Sequence, residues 1–278
     1  MAIAYLNGEW MAPEETRVSV FDRGFMFGDG VYEVLAVYSG KIFLLEAHLT
    51  RLNRSLEAIH LRSPYDDHAW SSLLQLAVDK SGEEDGYLYL QITRGVQRIR
   101  SHVYSGEAEP TVLVTMMPGS DEPQNEPLRV VTKQDYRWQR ADIKVTSLIA
   151  NGLLKNEALE EGYDEAVLVR EGMITEATSA NIFIVSDGVI LTPPRSHMVL
   201  HGVTRDYILS LARQAGFPIE EREIFESEFL GADEAWISST GNEIRAVIEI
   251  NGIVVGDGWP GKVFRELDAL FQSTKAHS

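Results

Sequence analysis

The sequence contains no cysteine among its 278 residues. That absence excludes disulfide bonds, zinc sites built from thiolates and a cysteine nucleophile. Positive charge is scarce as well, because 25 lysines and arginines stand against 42 aspartates and glutamates, which gives a formal net charge of −17. A chain this acidic is a poor match for nucleic acid or for an anionic membrane as a partner.

Long hydrophobic runs and targeting signals are also missing. No uninterrupted apolar run approaches the length that spans a bilayer. The first residues lack the basic region and the apolar core of a secretion signal. We therefore expect a cytoplasmic protein.

Several common catalytic motifs are absent. Gly28 and Gly30 are not followed by the third glycine of a dinucleotide fingerprint, and they precede a predicted strand rather than a helix. The sequence has no Gly-Lys-Ser/Thr phosphate loop, no His-Glu-x-x-His and no Gly-x-Ser-x-Gly. The seven histidines show no metal-ligand spacing, so we predict no metal site.

The pattern of apolar residues predicts an α+β fold with two sheet-bearing lobes. Most predicted strands follow one another in hairpins, and single helices stand between groups of strands instead of alternating with them. The strands are predicted at 31–38, 42–45, 87–93, 111–117 and 128–133 among others, and the helices at 46–61, 66–79, 148–161, 204–215 and 263–271.

The strongest cluster of structure-breaking residues lies at 118–127, where three prolines and a glycine occur together. We expect the chain to divide there. The prediction is an N-terminal α/β domain at 1–118, a linker at 119–127 and a C-terminal α/β domain at 128–278.

Lysine is uncommon in this chain, and Lys144 differs from the other six. It alone lies between apolar neighbours at a junction from strand-like to helix-like pattern. A lysine at such a junction can be desolvated, which lowers its pKa and makes it a usable amine nucleophile or base. Position alone is also compatible with a strand-end lysine that reaches water along its apolar stem.

Two segments have features of phosphate sites. Gly202 and Thr204 stand directly before a predicted helix, whose free N–H groups and dipole favour an anion. The same residues are compatible with an ordinary N-cap by Thr204. Ser239 and Thr240 end a predicted strand and could supply a second phosphate contact, or they could form a plain polar turn.

Two further segments have features that suit the recognition of charged groups. Glu176 is flanked by small residues, so it could be buried against a protonated ring nitrogen, or it could be an edge glutamate in solvent. Arg94, Arg98, Arg100 and His102 follow a predicted strand. Arginine forks suit a carboxylate, although a solvated basic loop would show the same residues.

Together these groups are what pyridoxal phosphate requires to act on an amino acid. Nearly the whole chain resembles the fold-type IV pyridoxal-phosphate transaminases, and within them the bacterial D-amino acid aminotransferases. The matching stretches, in order, are Asp22–Val34, Glu46–Leu52, Asp142–Lys144, Thr175-Glu176 with Asn181, Gly202–Asp206 and Ser238–Ile244. The resemblance implies two domains, each a mixed sheet or barrel with helices, and a homodimer with its active site at the subunit interface.

The resemblance also implies a role for individual residues. Lys144 would be the Schiff-base lysine and then the proton shuttle, and Glu176 would keep the pyridine nitrogen protonated. The other implied contacts are Arg51, Ser179, Val203, Thr204, Ser239 and Thr240 for the cofactor, and Tyr32, Arg98, Arg100 and His102 for the substrate.

The implied reaction is a ping-pong transfer from D-alanine to 2-oxoglutarate, which gives pyruvate and D-glutamate. One feature departs from the family pattern: Arg100 and His102 lie one residue further from Thr93-Arg94-Gly95, so Arg98 competes with Arg100 for the carboxylate. The alternatives are a branched-chain L-amino acid aminotransferase, an aminodeoxychorismate lyase, and a catalytically inactive interaction module of the same fold.

Overall fold

The computed structural model describes residues 3–104, 108–119 and 126–275. The first compact unit holds the described residues up to 119 together with Ile143–Ser147, and the second holds 126–142 and 148–275. Most of the predicted linker, at 120–125, lies outside the described residues. Ile143–Ser147 belongs to the first unit, whereas the prediction places all of 128–278 in the C-terminal domain.

In the described part of the first unit, six strands form one antiparallel sheet in the order β2-β1-β6-β5-β3-β4. The strands are β1 (Ala4–Leu6), β2 (Glu9–Met11), β3 (Gly30–Tyr38), β4 (Lys41–Ile42), β5 (Gly86–Thr93) and β6 (Thr111–Pro118). The helices are α1 (Arg23–Phe27), α2 (Leu45–Ala58) and α3 (Asp67–Ser81), with a short 3₁₀ turn at Pro13–Glu15.

The core of the first unit lies between one face of this sheet and the helices α2 and α3. Leu35 and Leu88 from the strands pack with Leu52 and Trp70 from the helices, and all four are fully buried. Helical spacing in α2 puts Leu49, Leu52 and Leu56 on one face, which is why that face turns to the sheet.

Among the described residues of the second unit, nine strands form a mixed sheet in the order β12-β11-β10-β13-β14-β7-β8-β9, with β15 beside β14. The strands are β7 (Leu128–Gln134), β8 (Glu165–Arg170), β9 (Met173–Ala177), β10 (Asn181–Ser186), β11 (Val189–Thr192), β12 (Ile219–Glu221), β13 (Glu234–Ser239), β14 (Glu243–Ile250) and β15 (Ile253–Val254). The helices are α4 (Ile149–Glu160), α5 (Val203–Gln214), α6 (Glu226–Leu230) and α7 (Lys262–Lys275).

Aromatic residues of the second unit hold α7 against β13. Trp236 stacks on Phe183 with ring centroids 5.5 Å apart, and Phe264 of α7 lies 6.3 Å from Trp236. The predicted α+β class with two sheet-bearing lobes is confirmed. No helix of the described ranges is both long and apolar enough to cross a membrane.

Candidate active site

Lys144 lies on a short segment that runs beside the start of β3. Its carbonyl accepts the N–H of Tyr32 at 3.0 Å, and Val145 forms an antiparallel bridge with Val31. Ile143 and Val145 point into the core, so the side chain of Lys144 projects from the opposite side of the segment. Its Nζ lies 4.1 Å from the centroid of the Tyr32 ring. The structure thus brings together the predicted nucleophile and one predicted substrate contact.

Arg51 lies on α2, where it is bound to a buried glutamate that the sequence analysis did not single out. Its Nε and Nη2 donate to the two carboxylate oxygens of Glu33 at 2.8 and 2.7 Å. His48 Nδ1 lies 2.8 Å from the same carboxylate. Burial alone would raise the pKa of Glu33, but Arg51 and then His48 outweigh it and lower that pKa to about 2.

His48 completes this group as a neutral base. Burial lowers the pKa of His48 below its ordinary value, and the charges of Arg51 and Lys144 lower it further, while Glu33 opposes them. The fixed charges of the group are therefore one carboxylate and one guanidinium. The two hydrogen bonds to Glu33 fix the position of the Arg51 guanidinium.

Arg98, Arg100 and His102 are exposed on the loop between β5 and β6. Two of these side chains contact the ring of Phe27. The Arg100 guanidinium lies 4.9 Å from the ring centroid, and the centroid of the His102 ring lies 5.7 Å from it. Within the described residues, no such ring contact is seen for Arg98. The structure thus groups Arg100 with His102.

Glu176 lies in β9 of the second unit and is 4% exposed, so it is not an edge glutamate in solvent. Its carboxylate accepts from Arg137 Nη1 at 2.6 Å, from the Leu200 N–H at 2.9 Å and from Asn181 Nδ2 at 3.3 Å. Burial raises the pKa of Glu176, and the positive charge of Arg137 opposes that rise. A second cation beside the carboxylate would favour its ionised form further.

Arg137 is shared between two carboxylates. Its Nε and Nη2 each lie 3.0 Å from an oxygen of Asp135. Asp135 also forms an ion pair with Arg170 and accepts a hydrogen bond from Thr175 Oγ1, both at 3.0 Å. Asp135 and Arg137 are not predicted from the sequence. The only signal was an Asp-x-Arg just after a predicted strand, and nothing in its spacing linked it to a glutamate 39 positions later.

The start of α5 has the features of an anion site. Gly202 is the N-cap and no side chain caps the helix, so the alternative that Thr204 is the N-cap is wrong. A Cβ at Gly202 would lie 2.0 Å from Asn181 Oδ1, so glycine is required for this close approach. Val203 and Thr204 open the helix, and their N–H groups belong to the first turn, which has no partners within the helix.

The hydroxyl residues at the end of β13 differ in their surroundings. Ser238 pairs with Asn181 across the sheet, and its Oγ is buried without a hydrogen-bond partner in the described part of the chain. Ser239 Oγ accepts from the N–H and Nδ2 of Asn242, both at 3.0 Å, and so closes the following turn. Thr240 is half-buried in that turn, and Ser179 is exposed between β9 and β10.

These donors and acceptors fit pyridoxal phosphate. A buried hydroxyl without a partner and an uncapped helix start suit its phosphate, and the buried carboxylate of Glu176, which shares its arginine with Asp135, suits its protonated ring nitrogen. The amine of Lys144 suits its aldehyde. Over the ranges that the structure describes, no group of His, Asp and Glu side chains could hold a metal ion.

Comparisons with known proteins agree with this chemistry. The family model for class IV aminotransferases matches residues 30–250. D-alanine aminotransferase of Bacillus licheniformis is 36% identical over 270 residues, which cover 96% of this chain and 95% of that protein. D-alanine aminotransferase of Staphylococcus aureus is 38% identical over 280 residues, covering 99% and 98%.

A solved structure gives the same result for the fold. The branched-chain aminotransferase of the archaeon Thermoproteus uzoniensis, solved with norvaline, matches with a TM-score of 0.90 and 28% identity, covering 99% of this chain and 95% of its own. Since the family model spans most of the sequence and the curated relatives span nearly all of it, this chain belongs to the class IV aminotransferases and is a pyridoxal-phosphate-dependent transaminase of fold type IV.

Proposed function

We propose that this enzyme transaminates D-amino acids, with D-alanine and 2-oxoglutarate giving pyruvate and D-glutamate in a ping-pong reaction. The choice of D-amino acids rests on the resemblance of Arg100-Ser101-His102 to the Arg-x-His pattern of the D-amino acid aminotransferases, and the contact of Arg100 and His102 with Phe27 supports their acting together. The relatives named D-alanine aminotransferase, 36% and 38% identical, support the same choice.

The proposal gives Lys144 and Glu176 separate tasks toward one bound cofactor. Pyridoxal phosphate supplies the aldehyde that takes up the amino group and the ring that accepts the electron pair released at Cα. Lys144 would hold the cofactor through its amine, and the same amine would then take up and return the proton of the substrate Cα. Glu176 holds the proton on the ring nitrogen, because a carboxylate favours the cation beside it.

The remaining cofactor contacts in the proposal hold the phosphate and the ring. Arg51 and the N–H groups of Val203 and Thr204 bind the phosphate, together with Ser239 and Thr240, and Ser179 supports the ring. The uncapped start of α5 and the fixed position of Arg51 on Glu33 support these assignments.

Tyr32, Arg100 and His102 bind the substrate in this proposal, with Arg98 as the alternative to Arg100. We also propose that the enzyme is a homodimer in which this loop completes the neighbouring subunit's site. Ile99 and Val103 in the loop are 76% and 77% exposed, as apolar residues at a subunit interface would be in an isolated chain.

A branched-chain L-amino acid aminotransferase is the second candidate, and the similarity to the Thermoproteus uzoniensis enzyme favours it. Amino transfer to 2-oxoglutarate from D-alanine and from L-leucine distinguishes the two candidates. We expect turnover with D-alanine. Turnover with L-leucine alone would contradict the proposal.

A catalytically inactive descendant of the family is the non-enzymatic alternative. We expect the purified protein to be yellow, to change absorbance when D-alanine is added, and to carry the cofactor on Lys144 after borohydride reduction. Lys144→Ala should abolish turnover. A protein that takes up no cofactor would contradict both enzymatic candidates, and full turnover by Lys144→Ala would remove Lys144 from its role.

A further inference from the structure

The loop that carries Arg100 and His102 lies against the short helix α1 of the same unit. Asp22 fixes the start of α1, because its carboxylate accepts the Gly24 N–H at 2.7 Å and the Thr111 hydroxyl at 2.6 Å. The backbone N–H of Arg23 donates to the Gly95 carbonyl at 2.9 Å. The helix is therefore tied to β6 and to the beginning of the loop.

The side chain of Arg23 binds the backbone of the loop at its functional part. Nη1 donates to the Ser101 carbonyl at 2.7 Å, and Nη2 lies 3.4 Å from the His102 carbonyl. Nη1 also donates to Gln97 Oε1 at 3.1 Å. Since Ser101 separates Arg100 from His102, the guanidinium holds the chain between the two predicted substrate contacts.

Asp29 fixes the direction of Arg23 and ties it to a second arginine. Its carboxylate accepts from Arg23 Nε at 2.8 Å and from Arg94 Nε at 2.9 Å. Burial alone would raise the pKa of Asp29, but Arg94 and Arg23 outweigh it and lower that pKa. Arg94 also lies 3.9 Å from the centroid of the Tyr104 ring, so the loop residue two positions after His102 contacts the same group.

Phe27 at the end of α1 contacts the side chains that the loop presents. Its ring has the Arg23 guanidinium at 4.8 Å and the Arg100 guanidinium at 4.9 Å, with the His102 ring at 5.7 Å. One turn of helix thus binds both the backbone and the side chains of this part of the loop.

We infer that Arg23 is a positioning residue for recognition of the substrate carboxylate, and that it acts by holding Arg100 and His102 in their binding geometry. The inference rests on the proposed function, in which those two residues bind the α-carboxylate. It also selects Arg100 over Arg98 as the carboxylate partner, because the Arg23 guanidinium binds the carbonyls that follow Arg100.

Steady-state kinetics of Arg23→Gln, Arg100→Gln and the double variant test this inference. Losing hydrogen bonds to a charged group should raise KM for D-alanine and for 2-oxoglutarate by about tenfold or more in Arg23→Gln. We expect kcat and the affinity for pyridoxal phosphate to stay within about threefold of the wild-type values. Because Arg23 acts through Arg100 and His102, the double variant should raise KM by clearly less than the product of the two single effects.

Two further variants keep the test decisive. Gln97→Ala removes one hydrogen bond to Arg23 at a half-buried position, so it should raise KM, though by less than Arg23→Gln. This variant tests the inference even if Arg23→Gln folds poorly. Arg62→Gln is the matched control, since Arg62 is exposed in the same unit.

The possible outcomes separate the inference from the proposed function. Two outcomes would overturn the inference and leave the proposed function intact. One is that the effects on KM are additive in the double variant. The other is that KM is unchanged in Arg23→Gln and Gln97→Ala but raised in Arg100→Gln. Unchanged KM in Arg100→Gln would refute the carboxylate assignment and the inference with it.

Discussion

Two buried glutamates, Glu33 in the first unit and Glu176 in the second, are both bonded to an arginine but differ in charge balance. Glu33 receives two N–H groups of Arg51 and lies against His48, and its pKa is lowered to about 2. Glu176 receives one N–H of Arg137, and its pKa is raised because burial outweighs that partner.

The difference between the two carboxylates follows from how each arginine is shared. Arg51 gives Glu33 both arms of its fork, whereas Arg137 turns its fork to Asp135 and only one nitrogen to Glu176. The charge of the Glu33 carboxylate is therefore balanced by a residue of the chain itself. Glu176 gains most from a further cation, which is what a protonated ring nitrogen would provide.

The largest expected effect is that of Glu176→Gln on turnover. The amide cannot stabilise a protonated ring nitrogen, so we expect kcat to fall by about 10²–10³-fold, as the loss of a few kcal/mol of charge stabilisation implies. Single-turnover kinetics with D-alanine measure this step. The matching variant Glu33→Gln should lower kcat far less, and an equal loss in both would abolish the distinction.

Removal of Arg137 should give a smaller loss of activity. In Arg137→Gln the main opposition to burial is lost and the Leu200 N–H remains, so the pKa of Glu176 rises further and its ionised form is less favoured. We expect kcat to fall by about tenfold to a hundredfold, and thermal unfolding to show destabilisation because Asp135 loses its fork.

The double variant Asp135→Asn/Arg137→Gln separates the two effects of Arg137. It removes the carboxylate that Arg137 neutralised, so we expect stability to recover while turnover stays low. Recovery of both would reduce Arg137 to a structural role.

The stability of the apoprotein should fall more for a change at Glu33 than for one at Glu176. Glu33→Gln leaves the buried guanidinium of Arg51 without its carboxylate and should cost about 3 kcal/mol, measured by urea unfolding at pH 7. Glu176→Gln should cost much less, because Arg137 keeps Asp135. Equal losses would contradict the difference in charge balance.

The smallest expected effect is on the acid dependence of stability. The folded pKa of Glu33 is about 2, below its unfolded value of 4.5, so its contribution is fully present above pH 4.5 and is lost as the pH falls toward 2. That contribution is on the order of 3 kcal/mol. Glu33→Gln should unfold with a shallower pH dependence in this window, and an unchanged slope would contradict the assignment.

The sequence predicts the elements of this fold better than the contacts between them. The predicted strands at 31–38 and 87–93 and the helix at 204–215 are confirmed within a residue or two. The predicted strand at 42–45 is wrong beyond Ile42, because Leu44 adopts a left-handed conformation with φ of 54° and α2 begins at Leu45.

The candidate site divides in the same way between local and distant features. Lys144 at an element junction and the glycine start of α5 are visible in local sequence, since a cap and a junction depend on neighbouring residues. The bonds of Arg137 to Glu176 and of Arg94 to Asp29 join residues 39 and 65 positions apart. Such pairs depend on strand register and packing, which no local pattern specifies.

Nitrogen-15 NMR of the holoenzyme, reconstituted with pyridoxal phosphate labelled at the ring nitrogen, tests the role of Glu176 most directly. We predict that the ring nitrogen of the wild-type protein stays protonated through the neutral range. In Glu176→Gln its pKa should fall by about one to three units. An unprotonated ring nitrogen in the wild type, or the same titration in Glu176→Gln, would contradict the account.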